Sequence, residues 1–255
     1  MRKDVQGRLM RVVIVGGSGQ VGGAVTAVLR ARGHDVVPVS RSTGFDAYSG
    51  AGVAEALVGA GAVLDATRTP SLDEQVATDY LRTSTGNLLS AERAAGVRLH
   101  VPVSIVGMER VPGLGYYRAK LIQEATIAGG GVPYTMLRST QFMEFLSIIL
   151  VGNVQDGVAR LPASYLQPVA VSDLAEILAD VLTASPTNGI VEAAGPEPLR
   201  LDEIGRCLLP GVRVETEAAA RPLFGAVLPE RALLPASGAR LGRTTLTDWY
   251  TSQSS

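Results

Sequence analysis

Three side chains near the middle of the chain have types and a spacing suited to proton transfer beside a reacting carbonyl. Ser104 is followed twelve positions later by Tyr116-Tyr117-Arg118-Ala119-Lys120. Tyr116 and Lys120 stand four apart, so on a helix they share one face. A phenol at its ordinary pKa of about 10 gives up its proton slowly at neutral pH. A nearby ammonium favours the phenolate and lowers that value. A serine hydroxyl can hold the oxygen that takes the proton. Such a trio suits carbonyl reduction, provided a hydride donor is bound beside it. Tyr117 is the rival acid, since it lies on the adjacent face and also precedes Lys120. The plainer alternatives are Ser104 as a strand-end serine and Lys120 in a solvated ion pair with Glu124.

A place for the hydride donor is written near the N-terminus. The apolar run Val12-Val13-Ile14-Val15 stops at Gly16-Gly17-Ser18-Gly19-Gln20-Val21-Gly22-Gly23. A helical pattern of Val21, Ala24, Val25, Val28 and Leu29 follows. This order of strand, tight turn and helix N-terminus binds dinucleotide pyrophosphates. Gly16 permits the turn, Gly19 leaves room for a phosphate, and Gly22 lets helix and strand approach. The spacing Gly16-x-x-Gly19-x-x-Gly22 differs from the commoner G-x-G-x-x-G. With 29 glycines in the chain, the weight rests on the flanking elements. The next strand ends Val39-Ser40-Arg41, with no acid to receive a ribose hydroxyl. Arg41 has the charge for a 2′-phosphate and Ser40 can donate to it, which predicts NADP(H) over NAD(H). Asp46 either hydrogen-bonds an adenine or caps a turn. Ala66, Thr67 and Arg68 follow a later strand and either touch pyrophosphate or adenosine or form an ordinary loop.

Alternating strand and helix signals must position these groups, and they predict an α/β fold: a Rossmann-type, doubly wound, mainly parallel sheet. Strands are expected at 11–15, 34–39, 62–66, 98–104 and 132–137, with a short strand or turn at Phe45 and Asp46. Helices are expected at 20–32, 51–58, 72–95 and 116–128. Beyond residue 140 the rhythm loosens. An apolar helix over 141–151, a strand over 167–171, a helix from Ser172 as cap to Leu182, a strand over 190–193 and a helix over 202–208 are expected. The domain reading is an NAD(P)-binding part at 10–195, with a C-terminal substrate-binding portion at 196–255 that also draws on 140–165. Thr140, Gln141, Phe142 and Phe145 are candidate substrate contacts, although a Met/Phe stripe with Met143 also suits core packing.

Composition narrows the function. The 255 residues carry 23 basic and 24 acidic side chains. Nothing there suggests a nucleic-acid or membrane partner. Apolar stretches such as Phe145–Val151 are too short to span a bilayer. Met1–Met10 is polar and lacks the apolar core of a signal peptide, so a cytoplasmic location is expected. One cysteine, Cys207, and two histidines, His34 and His100, give poor material for a metal site or a serine-hydrolase triad. His100 reads as a strand residue without catalytic duty. A small-molecule substrate and a monomer or homodimer are expected.

These stretches together resemble the short-chain dehydrogenase/reductase superfamily. More narrowly the chain resembles its atypical branch, the NmrA-like and isoflavone-reductase-like NAD(P)H-binding proteins. The resemblance rests on Val13-Ile14-Val15-Gly16-Gly17-Ser18-Gly19, Val103-Ser104-Ile105-Val106-Gly107, Tyr116-Tyr117-Arg118-Ala119-Lys120 and Leu137-Arg138-Ser139-Thr140-Gln141-Phe142. It covers about residues 10 to 195. It implies Tyr116 as general acid, Lys120 tuning it and binding the nicotinamide ribose, and Ser104 orienting substrate. The implied activity is NADPH-dependent reduction of a carbonyl or quinone in a small apolar molecule. A non-catalytic NADP(H) sensor and an epimerase or dehydratase recycling the cofactor are the alternatives. The chain departs from the family at several points. Val15 stands where a threonine is usual. Ala66-Thr67-Arg68 replaces an asparagine-alanine-glycine segment, and Asn87 lies too far along its helix to be the family's catalytic asparagine. Ser139-Thr140-Gln141-Phe142 replaces a proline-glycine pair.

Overall fold

A computed structural model describes residues 9–217, 222–223 and 226–253. The reading of the polar N-terminus at 1–8 lies outside the described residues, as do four-residue and two-residue stretches of the C-terminal portion at 218–221 and 224–225. In chain order the elements are β1 (Arg11–Val15), α1 (Gln20–Ala31), β2 (Asp35–Val39), α2 (Val53–Ala56), β3 (Ala62–Asp65), α3 (Glu74–Ala95), β4 (Leu99–Ile105), α4 (Gly115–Ala128), β5 (Thr135–Ser139) and α5 (Met143–Val151). They continue with β6 (Val154–Gln155), β7 (Val158–Pro162), β8 (Tyr165–Leu166), α6 (Val171–Leu182), β9 (Gly189–Ala194), β10 (Leu199–Arg200), α7 (Leu201–Leu208), β11 (Arg213–Glu217), β12 (Pro222–Leu223), β13 (Ala226–Val227), β14 (Arg240–Leu241) and α8 (Leu246–Gln253).

Seven strands form the central sheet in the order β14-β9-β5-β4-β3-β1-β2. β1 pairs in parallel with β2 and β3, and β3 with β4. The fold is Rossmann-type α/β, as the alternation of signals predicts. The chain packs as two compact units. The first comprises 1–104, 118–138 and 175–191; the second comprises 105–117, 139–174 and 192–255.

In the first unit the strands are buried because β-branched residues fill both faces, as parallel strands require. Val12, Val13 and Ile14 have no exposed surface. Val13, Val15, Val39, Phe45, Leu57, Val63 and Leu88 share one core cluster. α3 begins where Asp73 accepts from the N–H groups of Gln75 and Val76. It ends at Gly96, whose φ of 71° a side chain disfavours. His100 is fully buried against Glu92, with Nδ1 2.8 Å from Oε1. Burial alone lowers the His100 pKa, but the Glu92 carboxylate outweighs it and leaves the imidazole pKa raised.

In the second unit a hairpin of β6 and β7 pairs with β11. Its turn is Asp156-Gly157, both with positive φ, the geometry of a tight two-residue hairpin loop. α7 holds Asp202, which is 4% exposed. Its carboxylate accepts from Thr216, Arg200 and Arg206 at 2.7, 3.0 and 3.0 Å. Burial raises its pKa, yet these three donors outweigh burial and hold it down at about 2. A depressed carboxylate stabilises the fold above its unfolded value and loses that contribution as pH falls through the folded value. Asp202→Asn is expected to cost about 2 kcal/mol at neutral pH, with the difference fading between about pH 4 and about pH 2. Urea unfolding of both proteins across that range checks this.

Several expected elements are corrected. The strand expected at 132–137 runs Thr135–Ser139. Pro133 has no N–H for a ladder, so pairing starts after it. The helix expected at 51–58 shrinks to Val53–Ala56, with left-handed glycines at Gly52 and Gly59 outside its two ends. Residues 167–171 are not a strand: β8 ends at Leu166, Pro168 intervenes, and only Val169 bridges Phe142. Ser172 is not a cap, because α6 starts at Val171. The Val171 N–H is instead accepted by the Glu144 carboxylate of α5 at 3.0 Å. Of the two alternatives at Phe45 and Asp46, the structure takes the turn, closed by the Asp46–Ala51 bridge.

Candidate active site

The glycine turn lies in the first unit, at the C-terminal end of β1. Gly16 has φ of 82°, and a Cβ there would stand 2.6 Å from the Ala66 carbonyl oxygen. A Cβ on Gly22 would stand 2.4 Å from the Gly16 carbonyl oxygen. The turn therefore closes only with glycine at both positions, and it draws α1 against β1. The N–H groups of Gly16 and Gly17 both go to the Val39 carbonyl. Gly19 caps α1 without a side-chain bond. The first-turn amides of α1 and the positive end of its dipole thus face outward, an arrangement suited to an anion. Ser18, Gly19 and Gln20 are exposed, and Val21 is half-buried.

At the end of β2, Arg41 opens a 3-10 turn, Arg41–Thr43, and is exposed. Among the described residues its guanidinium has no ion-pair partner. The Ser40 and Ser42 hydroxyls lie 2.8 Å apart beside it. Ser42 thereby joins the hydroxyl pair, and its place one residue past Arg41 was the available signal. Asp46 Oδ1 accepts the Tyr48 N–H at 3.0 Å, which is the turn-capping arrangement. After β3, the Asp65 carboxylate accepts the Thr67 N–H at 3.0 Å and orders the loop Ala66-Thr67-Arg68. The Thr67 hydroxyl is shielded and has no partner among the described residues. Arg68 is exposed.

Lys120 is only 4% exposed. Its ammonium does not pair with Glu124, whose carboxylate is held by Arg138 at 2.7 Å. It donates to the Val103 carbonyl at 2.8 Å and to Gln123 Oε1 at 2.5 Å. Burial pushes its pKa below the ordinary lysine value, while the Asp65 and Glu124 carboxylates act in the opposite direction. The Val103 carbonyl directly precedes Ser104, the penultimate residue of β4, which is 3% exposed. Lys120 and Ser104 are thus brought together in the first unit. Gln123 and Asp65 complete this polar group. Gln123 stands three positions past Lys120 on α4, and Asp65 is the one charged residue of an otherwise apolar strand.

The other candidates lie in the second unit. Tyr116 is half-buried and shares α4 with Lys120 at four-residue spacing. Tyr117 is 7% exposed. Its pKa is pushed up to about 12, first by burial and then by Tyr116, against an opposing hydrogen bond from Gln141. Thr140 is 2% exposed and donates to the Gln167 carbonyl at 2.6 Å, a structural bond. Gln141 and Phe142 are half-buried, and Phe145 is 38% exposed with its ring 5.9 Å from that of Phe142. Met143 is core, at 1% exposure. Among the described residues no group of three His, Cys, Asp or Glu could hold a metal ion.

No protein-family profile matches the sequence, and no curated protein matches it. Solved structures do match. A dTDP-4-dehydrorhamnose reductase from Bacillus anthracis in complex with NADP superposes with TM-score 0.74 at 14% identity, covering 96% of this chain and 100% of that one. An NADPH-dependent quinone oxidoreductase from Escherichia coli gives 0.67 at 19%, covering 96% and 100%. A UDP-glucose 4-epimerase from Thermus thermophilus in complex with NAD gives 0.69 at 20%, covering 88% and 90%. The chain has the Rossmann-type fold of these proteins. On a Rossmann fold ligands bind beyond the carboxyl ends of the strands. Gly16, Ser40 and Ala66 each follow such an end, and Ser104 sits one residue before the end of β4. These strands run parallel, so the four positions mark one edge of the sheet. Among the described residues no helix is long and apolar enough to cross a membrane.

Proposed function

We propose that the chain is an NADPH-dependent reductase of a carbonyl or quinone in a small apolar molecule, of the atypical short-chain dehydrogenase/reductase type. The buried ammonium of Lys120 carries this reading. A lysine held away from solvent on a carbonyl and an amide, with no direct carboxylate partner among the described residues, is costly and is kept where its charge is used. The glycine turn, the shielded Thr67 hydroxyl and Arg41, which has no ion-pair partner among the described residues, fit a dinucleotide with a 2′-phosphate. The α1 amides around Gly16–Gly22 would hold its pyrophosphate, with Ala66, Thr67 and Arg68 alongside. Ser40, Ser42 and Arg41 would hold the 2′-phosphate. The bound nicotinamide supplies a hydride.

Tyr116 is proposed to deliver the proton to the substrate oxygen. Lys120 favours the resulting phenolate and holds the ribose, and Ser104 orients that oxygen. Burial keeps the neighbouring Tyr117 protonated, which makes it the poorer acid. Gln141, Phe142 and Phe145 offer an amide and two rings for a small apolar substrate. The epimerase among the structural neighbours supports a second reading, in which the same site recycles its cofactor.

The direct test follows NADPH consumption by the wild type with a panel of ketones and quinones. Steady consumption with at least one member is expected; NADPH bound without consumption by any member contradicts a reductase. The 2′-phosphate assignment makes a separate expectation. Arg41→Ala is expected to weaken NADPH binding about 10- to 100-fold and to leave NADH binding nearly unchanged. Titrating both cofactors against both proteins checks this, and an equal effect on the two would refute the assignment.

A further inference from the structure

The buried polar group around Lys120 contains one residue that the proposed chemistry leaves without a role. Gln123 is 2% exposed and makes three side-chain hydrogen bonds, all inside the first unit. Its Oε1 accepts from the Lys120 ammonium at 2.5 Å. Its Nε2 donates to Asp65 Oδ2 at 3.2 Å and to Thr85 Oγ1 at 3.1 Å. The chemistry fixes which way the amide faces. An ammonium only donates and a carboxylate only accepts, so a neutral side chain between them needs one acceptor and one donor. Neither an acid nor a base at this position could satisfy both neighbours.

Asp65 carries the connection onward. Its other oxygen accepts the Thr67 N–H at 3.0 Å. The Ala66 N–H goes to the Val15 carbonyl, and the Ala66 carbonyl oxygen lies 2.6 Å from where a Gly16 Cβ would stand. A continuous chain therefore runs from the Lys120 ammonium through Gln123 and Asp65 to the loop backing the glycine turn.

We infer that Gln123 is a positioning residue, which sets the Lys120 ammonium on the Val103 carbonyl and ties it through Asp65 to the loop behind the glycine turn. Lys120 and the turn then bind one ligand as a unit. The inference rests on the proposed reading of Lys120 and the glycine turn as parts of an NADPH site.

The test is calorimetric titration with NADPH, at a temperature well below the melting point of every variant compared. Gln123→Leu is expected to weaken binding about tenfold. Adding it to Lys120→Met should weaken that variant no further, because both act through the same ammonium. Gln123→Glu keeps an acceptor for Lys120 but sets two carboxylates face to face, so it too should bind weakly. Adding Asp65→Asn reverses the bridge, because the introduced amide now donates to the introduced carboxylate. The double variant should bind NADPH to within about threefold of wild type. A merely structural glutamine would lower the melting temperature of its variants and leave the NADPH affinity of the folded protein alone.

If Gln123→Leu does not fold, Gln123→Glu and its combination with Asp65→Asn decide. Wild-type affinity in the glutamine variants, with Lys120→Met weakened, overturns the inference and leaves the reading of the site intact. Wild-type affinity in Lys120→Met, or no NADPH binding by the wild type, overturns the reading and the inference with it.

Discussion

Tyr116→Phe is expected to lower kcat for NADPH-dependent reduction by about 10²- to 10⁴-fold while NADPH binds as in the wild type. The substitution removes one hydroxyl and keeps the ring, so packing against Tyr117, whose ring centroid lies 6.4 Å away, is retained. On the proposed assignment, what disappears is the proton donor. Tyr117→Phe is the matched control. Tyr117 is buried, and burial holds its pKa up at about 12, so it is a poor acid. Losing its hydroxyl is expected to cost far less turnover than losing that of Tyr116. Steady-state rates at saturating NADPH for the two variants distinguish the assignments. A large loss with Tyr117→Phe and none with Tyr116→Phe would reverse them.

Gly22→Ala and Gly23→Ala are expected to have opposite signs although they are adjacent in one helix. Alanine in place of a helical glycine ordinarily stabilises by about 1 kcal/mol. At Gly23 the added carbon meets nothing nearer than the Gly17 carbonyl oxygen at 3.8 Å, so that gain should appear. At Gly22 it meets the Gly16 carbonyl oxygen at 2.4 Å and the Gly17 Cα at 2.9 Å, all of it backbone. The turn must open, at an expected cost of about 1–3 kcal/mol or more, and the α1 amides move with it. Gly22→Ala should therefore lose both stability and NADPH affinity, and Gly23→Ala should lose neither. Thermal melts with and without NADPH measure both effects.

Local patterns made the first half of the fold legible. Val12–Val15 are β-branched throughout and stop at glycine, so strand and turn could be read directly. α1 and α3 carry helical periodicity, and α1, α3 and α4 each have glycine just beyond their C-terminal ends. Past residue 140 the determinants are long-range. Val171 starts α6 because Glu144, twenty-seven residues earlier, accepts its N–H, and no local pattern near Ser172 reports that. β7 pairs in parallel with β11, more than fifty residues on. Asp156-Gly157 is a readable hairpin signal there, and assigning 140–165 only to the substrate-binding portion passes over it.

The candidate site divides in the same way. Residues at strand ends, namely Gly16, Ser40, Ala66 and Ser104, are recognisable from spacing alone. The partners of Lys120 are not. Its spacing to Glu124 suggests an ion pair, but Arg138 takes Glu124, and the ammonium turns to the Val103 carbonyl and Gln123. Tertiary packing decides which of two neighbours on a helix face a buried charge meets, and Asp65, fifty-five residues upstream of Lys120, enters through Gln123.

The most direct measurement is the fate of deuterium carried at both hydrogen positions of C4 of the NADPH nicotinamide in a wild-type reaction. The substrates are ketones, because a hydroquinone hydroxyl exchanges its deuterium with water and a carbinol carbon does not. Deuterium at the carbinol carbon of the product, together with one NADP formed per ketone reduced, is the expected result. NADPH bound at the glycine turn with its deuterium retained, across the whole panel, would contradict hydride transfer as the function of this chain.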